Sequence, residues 1–398
     1  MNLHAWMTNV KKRNDYKIYI IIAALALLWI LFGVFTKGIF LSARNISNLF
    51  RQMTIISFLA FGMSFVIISK HIDISVGSVA GLLSMIGALL QALWLPPLLS
   101  KVFNITSYGI PSTLLTISIV IGVGILIGLL HGYIIAYAGV PAFVVTLGGQ
   151  FLWRGVILGI SRSQTITPIE EPLRNIAQGY LSKPLGWVIA IICCIIIVAN
   201  LFLKRRKWAL LGLTNKSLGM DASKVVLPIL LILGATAIMS QYEGIPNPVL
   251  LMIIVFAALS FILNHTAFGR YVYAIGGNIQ ASELCGIDTK KTILKIYMLT
   301  GIMASISGIV MTGYVAAGTI SGGLMFEMIA IASCVIGGIS MHGGQGVIVG
   351  ALIGGLFMAS LDNGMSMMNL GAFWQYIVKG LVLVIAVFWD IKSQRKLS

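Results

Sequence analysis

The sequence predicts an all-α fold, a polytopic transmembrane helical bundle of ten to twelve spans with both termini on the inner side of the membrane. Three observations carry that prediction. Hydrophobic residues make up 58% of the 398 and charged residues only 10%, with a mean hydropathy of +0.99, whereas a soluble chain of this length carries about 25% charged residues. The apolar runs are long enough to cross a hydrocarbon core of about 30 Å as helices. The basic residues stand in short clusters between those runs, so the net charge of +16 reads as membrane orientation and not as a nucleic-acid surface.

Lys11, Lys12, Arg13 and Lys17 close an N-terminal tail, residues 1–17, ahead of the first apolar run at 18–35. That run exceeds a signal-peptide core and lacks a small-x-small cleavage site after it, which predicts an uncleaved span. Further spans are expected at 49–68, 75–95, 112–138, 142–160, 185–203, 225–240, 248–264, 293–313, 327–340, 346–361 and 373–390. All belong to one transmembrane domain, 1–398; if the pair within 185–240 is an insertion, ten spans form the core. With the N-terminus inside, 18 of the 27 basic residues fall on the inner side and seven on the outer, as the positive-inside rule requires. The segment 265–292 and the tail 391–398 are then cytoplasmic, and 161–184 is external.

The stretch Gly269–Lys291 is amphipathic and punctuated by glycine. Gly276, Gly277 and Asn278 predict a turn, Asn278 a cap for a short helix over Ile279–Cys285, and Gly286 its left-handed end before Ile287. Ala281, Leu284 and Cys285 share one face, beside Gln280, Ser282 and Glu283. A helix this short spans nothing, so it lies at the surface or docks into a partner; Arg270 and Tyr273 lead into it.

Glycines at fourfold spacing, Gly77 with Gly81, Gly124 with Gly128, and Gly346 with Gly350 and Gly354, predict helix faces where backbones pack closely. Val66/Val335, Gly77/Gly346 and Gly81/Gly350 repeat at a constant offset, hinting at two related hairpins. His71, Asp73 and Ser75 interrupt a long apolar region, either as a turn or as a polar break along a path. Trp153, Arg154, Glu327, Trp374 and Tyr376 are further path or gate candidates. The alternatives are interfacial belts for the aromatics, and for Arg154 and Lys379 simple reach to the interface; a pairing of Arg154 with Glu327 is the sharper option. Cys193, Cys194, Cys285 and Cys334 form no zinc or disulfide pattern, and the five histidines no metal motif. No catalytic set of nucleophile, base and orienting group is visible.

No GxxxxGK[ST] phosphate loop is present. Of the eleven acidic residues, only Glu327 is expected within the bundle. Ion-coupled secondary carriers, the rival class, use intramembrane carboxylates for coupling, so this scarcity favours a transport path driven by a separate motor.

The runs GRYVYAIGGN and SELCGI, with LSARNISNLFRQ, IDISVGS, VPAFVVTLGG, ASCVIGG, LDNGMSMM and FWQYIVKG, resemble the permease subunits of bacterial monosaccharide ABC importers, the ribose and xylose permease family. The last two runs and the chain length are most similar to the xylose type. The resemblance implies a homodimer in the bacterial inner membrane, in contact with lipid. It also implies an ATPase docked on the 265–292 loop, a periplasmic sugar-binding protein and a pentose substrate. The chain itself would bind no cofactor or metal; ATP and magnesium would be handled by the ATPase. Ile329 stands where the family has an acidic residue after Glu327, and His342 replaces a small residue, so no role for a second carboxylate carries over.

Overall fold

A computed structural model describes residues 20–103, 109–210 and 218–395. The expected N-terminal tail and most of the inner basic cluster at 204–224 lie outside the described residues or their described side chains.

The helices are α1 (Ile20–Phe35), α2 (Ala43–Ile68), α3 (Val76–Leu89), α4 (Leu95–Phe103), α5 (Gly109–Ala136), α6 (Ala142–Ser161), α7 (Glu171–Gln178), α8 (Lys183–Leu210), α9 (Leu218–Ser240), α10 (Asn247–His265), α11 (Ala267–Gly277), α12 (Ile279–Leu284), α13 (Thr289–Val315), α14 (Phe326–Ile336), α15 (Ile348–Met367) and α16 (Ala372–Arg395). A π-helical turn, Leu90–Trp94, joins α3 to α4, and two short antiparallel strands, β1 (Tyr180–Leu181) and β2 (Ile245–Pro246), pair at one end. Among the described residues nine helices are long and apolar enough to cross a membrane. Three expected spans are shorter. The one at 327–340 becomes α14, 11 residues or about 16 Å, because Gly337 and Gly338 stop it, the latter in the left-handed conformation.

The core is built on α2, α3 and α13. Buried Phe58, Phe61 and Phe65 run along α2, while α13 lies in a glycine seam against α5. A side chain at Gly124 would meet the Gly301 carbonyl at 2.6 Å, and one at Gly128 would collide with the Tyr297 backbone. Gly350 and Gly354 likewise press on Gly337 and Ser333 of the α14 region. Gly77 and Gly81 also permit close approach, Gly77 to Glu327 in the first turn of α14 and to the Gly323 carbonyl, Gly81 to the Gly322 carbonyl. Gly346 departs from expectation: its φ of +150° places it in the loop before α15. Its neighbours Gly343 and Gly344 are left-handed too, and such a run cannot propagate a right-handed helix.

The contacts sort the connections between two ends. At one end Arg51 Nη2 donates to the Gln178 carbonyl at 3.2 Å, its guanidinium lies over the Tyr180 ring, and Ile166 pairs with Gly318. At the other, Gly344 N–H donates to the Ile68 carbonyl at 2.8 Å, Met341 N–H to Asp390 Oδ2 at 3.4 Å, and the Lys290 ammonium sits over Tyr137. The 265–292 segment therefore shares an end with the close of α16, opposite the 161–184 segment.

Candidate functional site

At the end that carries 265–292, Thr266 caps α11 by accepting from Gly269 N–H at 3.3 Å, leaving Arg270 exposed. The helix continues through Gly276 and Gly277 where a turn was expected. Gly276 explains why the backbone must be bare there: a side chain would strike the Ile68 carbonyl and come within 2.5 Å of Gly344 N. Tyr273 Oη donates to the Gly346 carbonyl at 2.7 Å, and burial pushes its phenol up to about 12. The segment is thus fixed to both the close of α2 and the loop before α15.

Asn278 Oδ1 accepts from Ala281 N–H at 3.0 Å, capping α12 as the sequence predicts. The helix closes at Leu284, with Gly286 at φ +78° and Ile287 half-buried behind it. Glu283 Oε1 accepts from Thr289 Oγ1 at 2.7 Å, tying α12 to α13. Ser282 is the buried residue of α12; Ala281, Leu284 and Cys285 face outward, Leu284 with 91% of its surface exposed. Between α12 and the close of α2 lies a cleft of about 380 Å³ lined by Ser69, Lys70, His71, Asn278 and Gln280 among others.

From that end the chain turns back into the bundle. The 69–75 break carries Asp73 to a small void beside Gly128 and Tyr297, each eight residues, or about 12 Å, from its helix end. His71 packs edge-on against the Tyr297 ring. The segment thus brings its polar groups inward, between α5 and α13. Asp73, 3% exposed, accepts from Ser75 N–H at 2.8 Å and from Ser75 Oγ at 2.6 Å. His131 Nδ1 lies 3.4 Å from Ser75 Oγ, and Trp153 Nε1 donates to His131 Nε2 at 3.1 Å. An indole nitrogen can only donate, so Nε2 accepts, the proton of neutral His131 sits on Nδ1, and it points to Ser75. The chain of bonds from Trp153 through His131 and Ser75 to Asp73 then has one consistent direction.

Beside it, Glu327, 1% exposed in the first turn of α14, accepts from Gln150 Nε2 at 2.9 Å. Arg154 does not pair with it: the guanidinium donates to the Gly322 carbonyl at 3.0 Å. Ile329, at the position of the missing second acid, is buried. Trp374 and Tyr376 lie on an exposed face of α16. Lys379, instead of reaching for the interface, pairs with Asp362 at 2.7 Å. Glu327 is therefore not the sole enclosed acid: Asp73 and Asp390 are buried, and Asp362 lies within α15.

His131, Gln150 and Tyr297 were missed from sequence. Each is a single polar group in an apolar helix, and its only signal was that such a group in a membrane needs a partner. Among the described residues no cluster of three or more His, Cys, Asp or Glu side chains could hold a metal.

The architecture, long apolar helices around an enclosed polar centre with a short capped helix at one end, defines a polytopic helical membrane protein. Residues 45–387 match the family described as "Branched-chain amino acid transport system / permease component", and the chain belongs to that family. It is 41% identical over 386 residues to the xylose transport system permease protein of Haemophilus influenzae, covering 97% of this chain and 99% of that one. With the Escherichia coli protein of the same name the figure is 39% over 385 residues, covering 97% and 94%. The ribose import permease protein of Haemophilus influenzae is 29% identical over 351 residues, covering 88% and 86%. No solved structure matches the chain.

Proposed function

We propose that this protein is the membrane-spanning permease subunit of an ATP-driven sugar importer of the bacterial inner membrane, carrying a pentose, with xylose the favoured substrate. The observation that carries this reading is the 41% identity across nearly the full length of a permease named for xylose transport. The chain works as a homodimer and takes its sugar from a periplasmic binding protein. A partner ATPase docks on the cytoplasmic 265–292 segment and uses ATP and magnesium. ATP binding closes the motor domains and moves the docked segments. Because α11 is pinned to the close of α2 and to the loop before α15, the movement is passed to the 69–75 break and to that loop as a rigid-body change. His71, Asp73, Ser75, Trp153, Arg154 and Glu327 lie along or beside the path.

Docking is tested at α12. Leu284→Asp forfeits about 2 kcal/mol of apolar burial and adds the desolvation of a charge, enough to weaken ATPase retention more than about tenfold. Insertion is untouched, since Leu284 packs on nothing in the chain. Gly286→Val does the same by opposing the left-handed backbone. Pull-down of the ATPase at matched expression reads both; wild-type recovery with Leu284→Asp and Leu284→Lys would take α12 out of the docking role.

A further inference from the structure

The void between α5 and α13 is bounded by polar groups whose hydrogen bonds can be counted one by one. Asp73, His131, Tyr297 and Thr300 line it, and about 10 Å³ is open within it, room for one water molecule. Tyr297 is 1% exposed, and its Oη is buried with no hydrogen-bond partner. It lines the same void as the Asp73 carboxylate, whose charge acts on it, yet the two do not bond directly. Both nitrogens of His131 are engaged, Nε2 with Trp153 at 3.1 Å and Nδ1 with Ser75 at 3.4 Å. Asp73 takes both of its Ser75 bonds on Oδ1. Thr300 Oγ1 donates its proton to the Ile296 carbonyl at 3.0 Å, which leaves the oxygen able to accept.

A phenol hydroxyl enclosed without a partner is costly, and voids that stay dry are lined by hydrocarbon. This one is not. A single water here accepts from Tyr297 Oη–H, donates one proton to the Asp73 carboxylate and donates the other to Thr300 Oγ1. Three bonds is about the usual number for an internal water. Cations of the calcium or magnesium kind take about six oxygens or more, whereas three side chains offer oxygen to this void.

We propose that an ordered water occupies this void and fastens the 69–75 break to α13, with Tyr297 as its donor and as a positioning residue for Asp73. The same break lines the cleft beside α12 through Ser69, Lys70 and His71, so the water holds the deep end of the segment that joins that cleft to the interior. The test uses the purified full chain in detergent. Hydroxyl radicals made by X-rays from an internal water oxidise the side chain beside it. In heavy-oxygen water Tyr297 should therefore take up label several-fold faster than Phe58 and Phe61, which are as fully enclosed. Thr300→Val, which removes one acceptor of the water, should slow that uptake. Tyr297→Phe should lower the melting temperature, and by less when Thr300→Val is already present, because the two groups share one partner. Labelling of Tyr297 no faster than that of the two phenylalanines would overturn the inference, and this arm needs no variant to fold. A Tyr297→Phe protein melting at or above the wild-type temperature would also overturn it, since deleting a dry, unpartnered hydroxyl relieves a cost. So would a melting temperature raised by sodium chloride but not by choline chloride, with the response lost in Tyr297→Phe, which would put a cation in the void.

Discussion

The α5–α13 seam and the seam around α6 run through the same bundle on opposite chemistry. In the first, Gly124, Gly128 and Gly301 bring two backbones together with almost no side chain between them, and Ser305 bonds to its own helix and to the Val120 carbonyl at 3.2 Å. In the second, Gln150, Trp153 and Arg154 reach across to a carboxylate, an imidazole and a carbonyl, beside Gly149, where an added side chain would meet His131 Nε2 at 2.8 Å. Lipid gives helices no hydrophobic reason to associate, so both close packing and hydrogen bonding can hold them. Close packing fails when anything is inserted. Hydrogen bonds can be exchanged. The two seams should therefore respond differently to an inserted side chain and to a lost polar partner.

The harshest way to break this comparison is Gly128→Val. The new side chain would collide with the Tyr297 backbone, and the expected loss is about 3 kcal/mol, the upper part of the range for overpacking, seen as a sharp fall in the folded yield and melting temperature in detergent. Gly155→Ala, on α6 where nothing lies within 4 Å of the added carbon, should leave both unchanged. Equal sensitivity at the two positions would erase the distinction.

Gln150→Leu should have an intermediate effect. It leaves Glu327 Oε1 without its partner beside an already unpartnered Oε2, a cost of about 2 kcal/mol for the buried acceptor. The helices still pack, so melting temperature should drop modestly while sugar uptake drops much further. A loss of uptake no larger than the loss of folded protein would assign the bond a structural role only.

The smallest effect is expected at Asp288, which caps α13 by accepting from Lys291 N–H at 3.0 Å. That hydrogen bond and the nearby Lys291 ammonium hold its carboxyl below the ordinary value. Its folded value is the lower one, so the contribution is present above the ordinary carboxylate range and fades as pH falls through the folded value. Asp288→Ala should fray the first turn of α13 in hydrogen exchange, with uptake near wild type and less acid sensitivity of that turn than the parent shows.

The spans were legible because an apolar run longer than the bilayer has few alternatives, and α12 because Asn278 and Gly286 are local signals that need no tertiary information. The polar centre was legible only in part. Asp73, Ser75 and Glu327 stand out against apolar neighbours, but Gln150 finds its partner 177 residues away, a distance no local pattern encodes. Gly346 misled because spacing alone does not distinguish a helical glycine from a left-handed one, although Gly343 and Gly344 nearby were the clue. Trp374 and Tyr376 are exposed on α16, and aromatic rings near a span end fit a membrane boundary as readily as a sugar path.

The central claim, that this permease is driven by a partner ATPase, is tested most directly by uptake of labelled xylose into proteoliposomes. The account predicts accumulation only when the ATPase, ATP with magnesium and the binding protein are all supplied, and none from a proton or sodium gradient imposed on the chain alone. Accumulation driven by the gradient, without ATPase or ATP, would contradict it and identify an ion-coupled carrier instead.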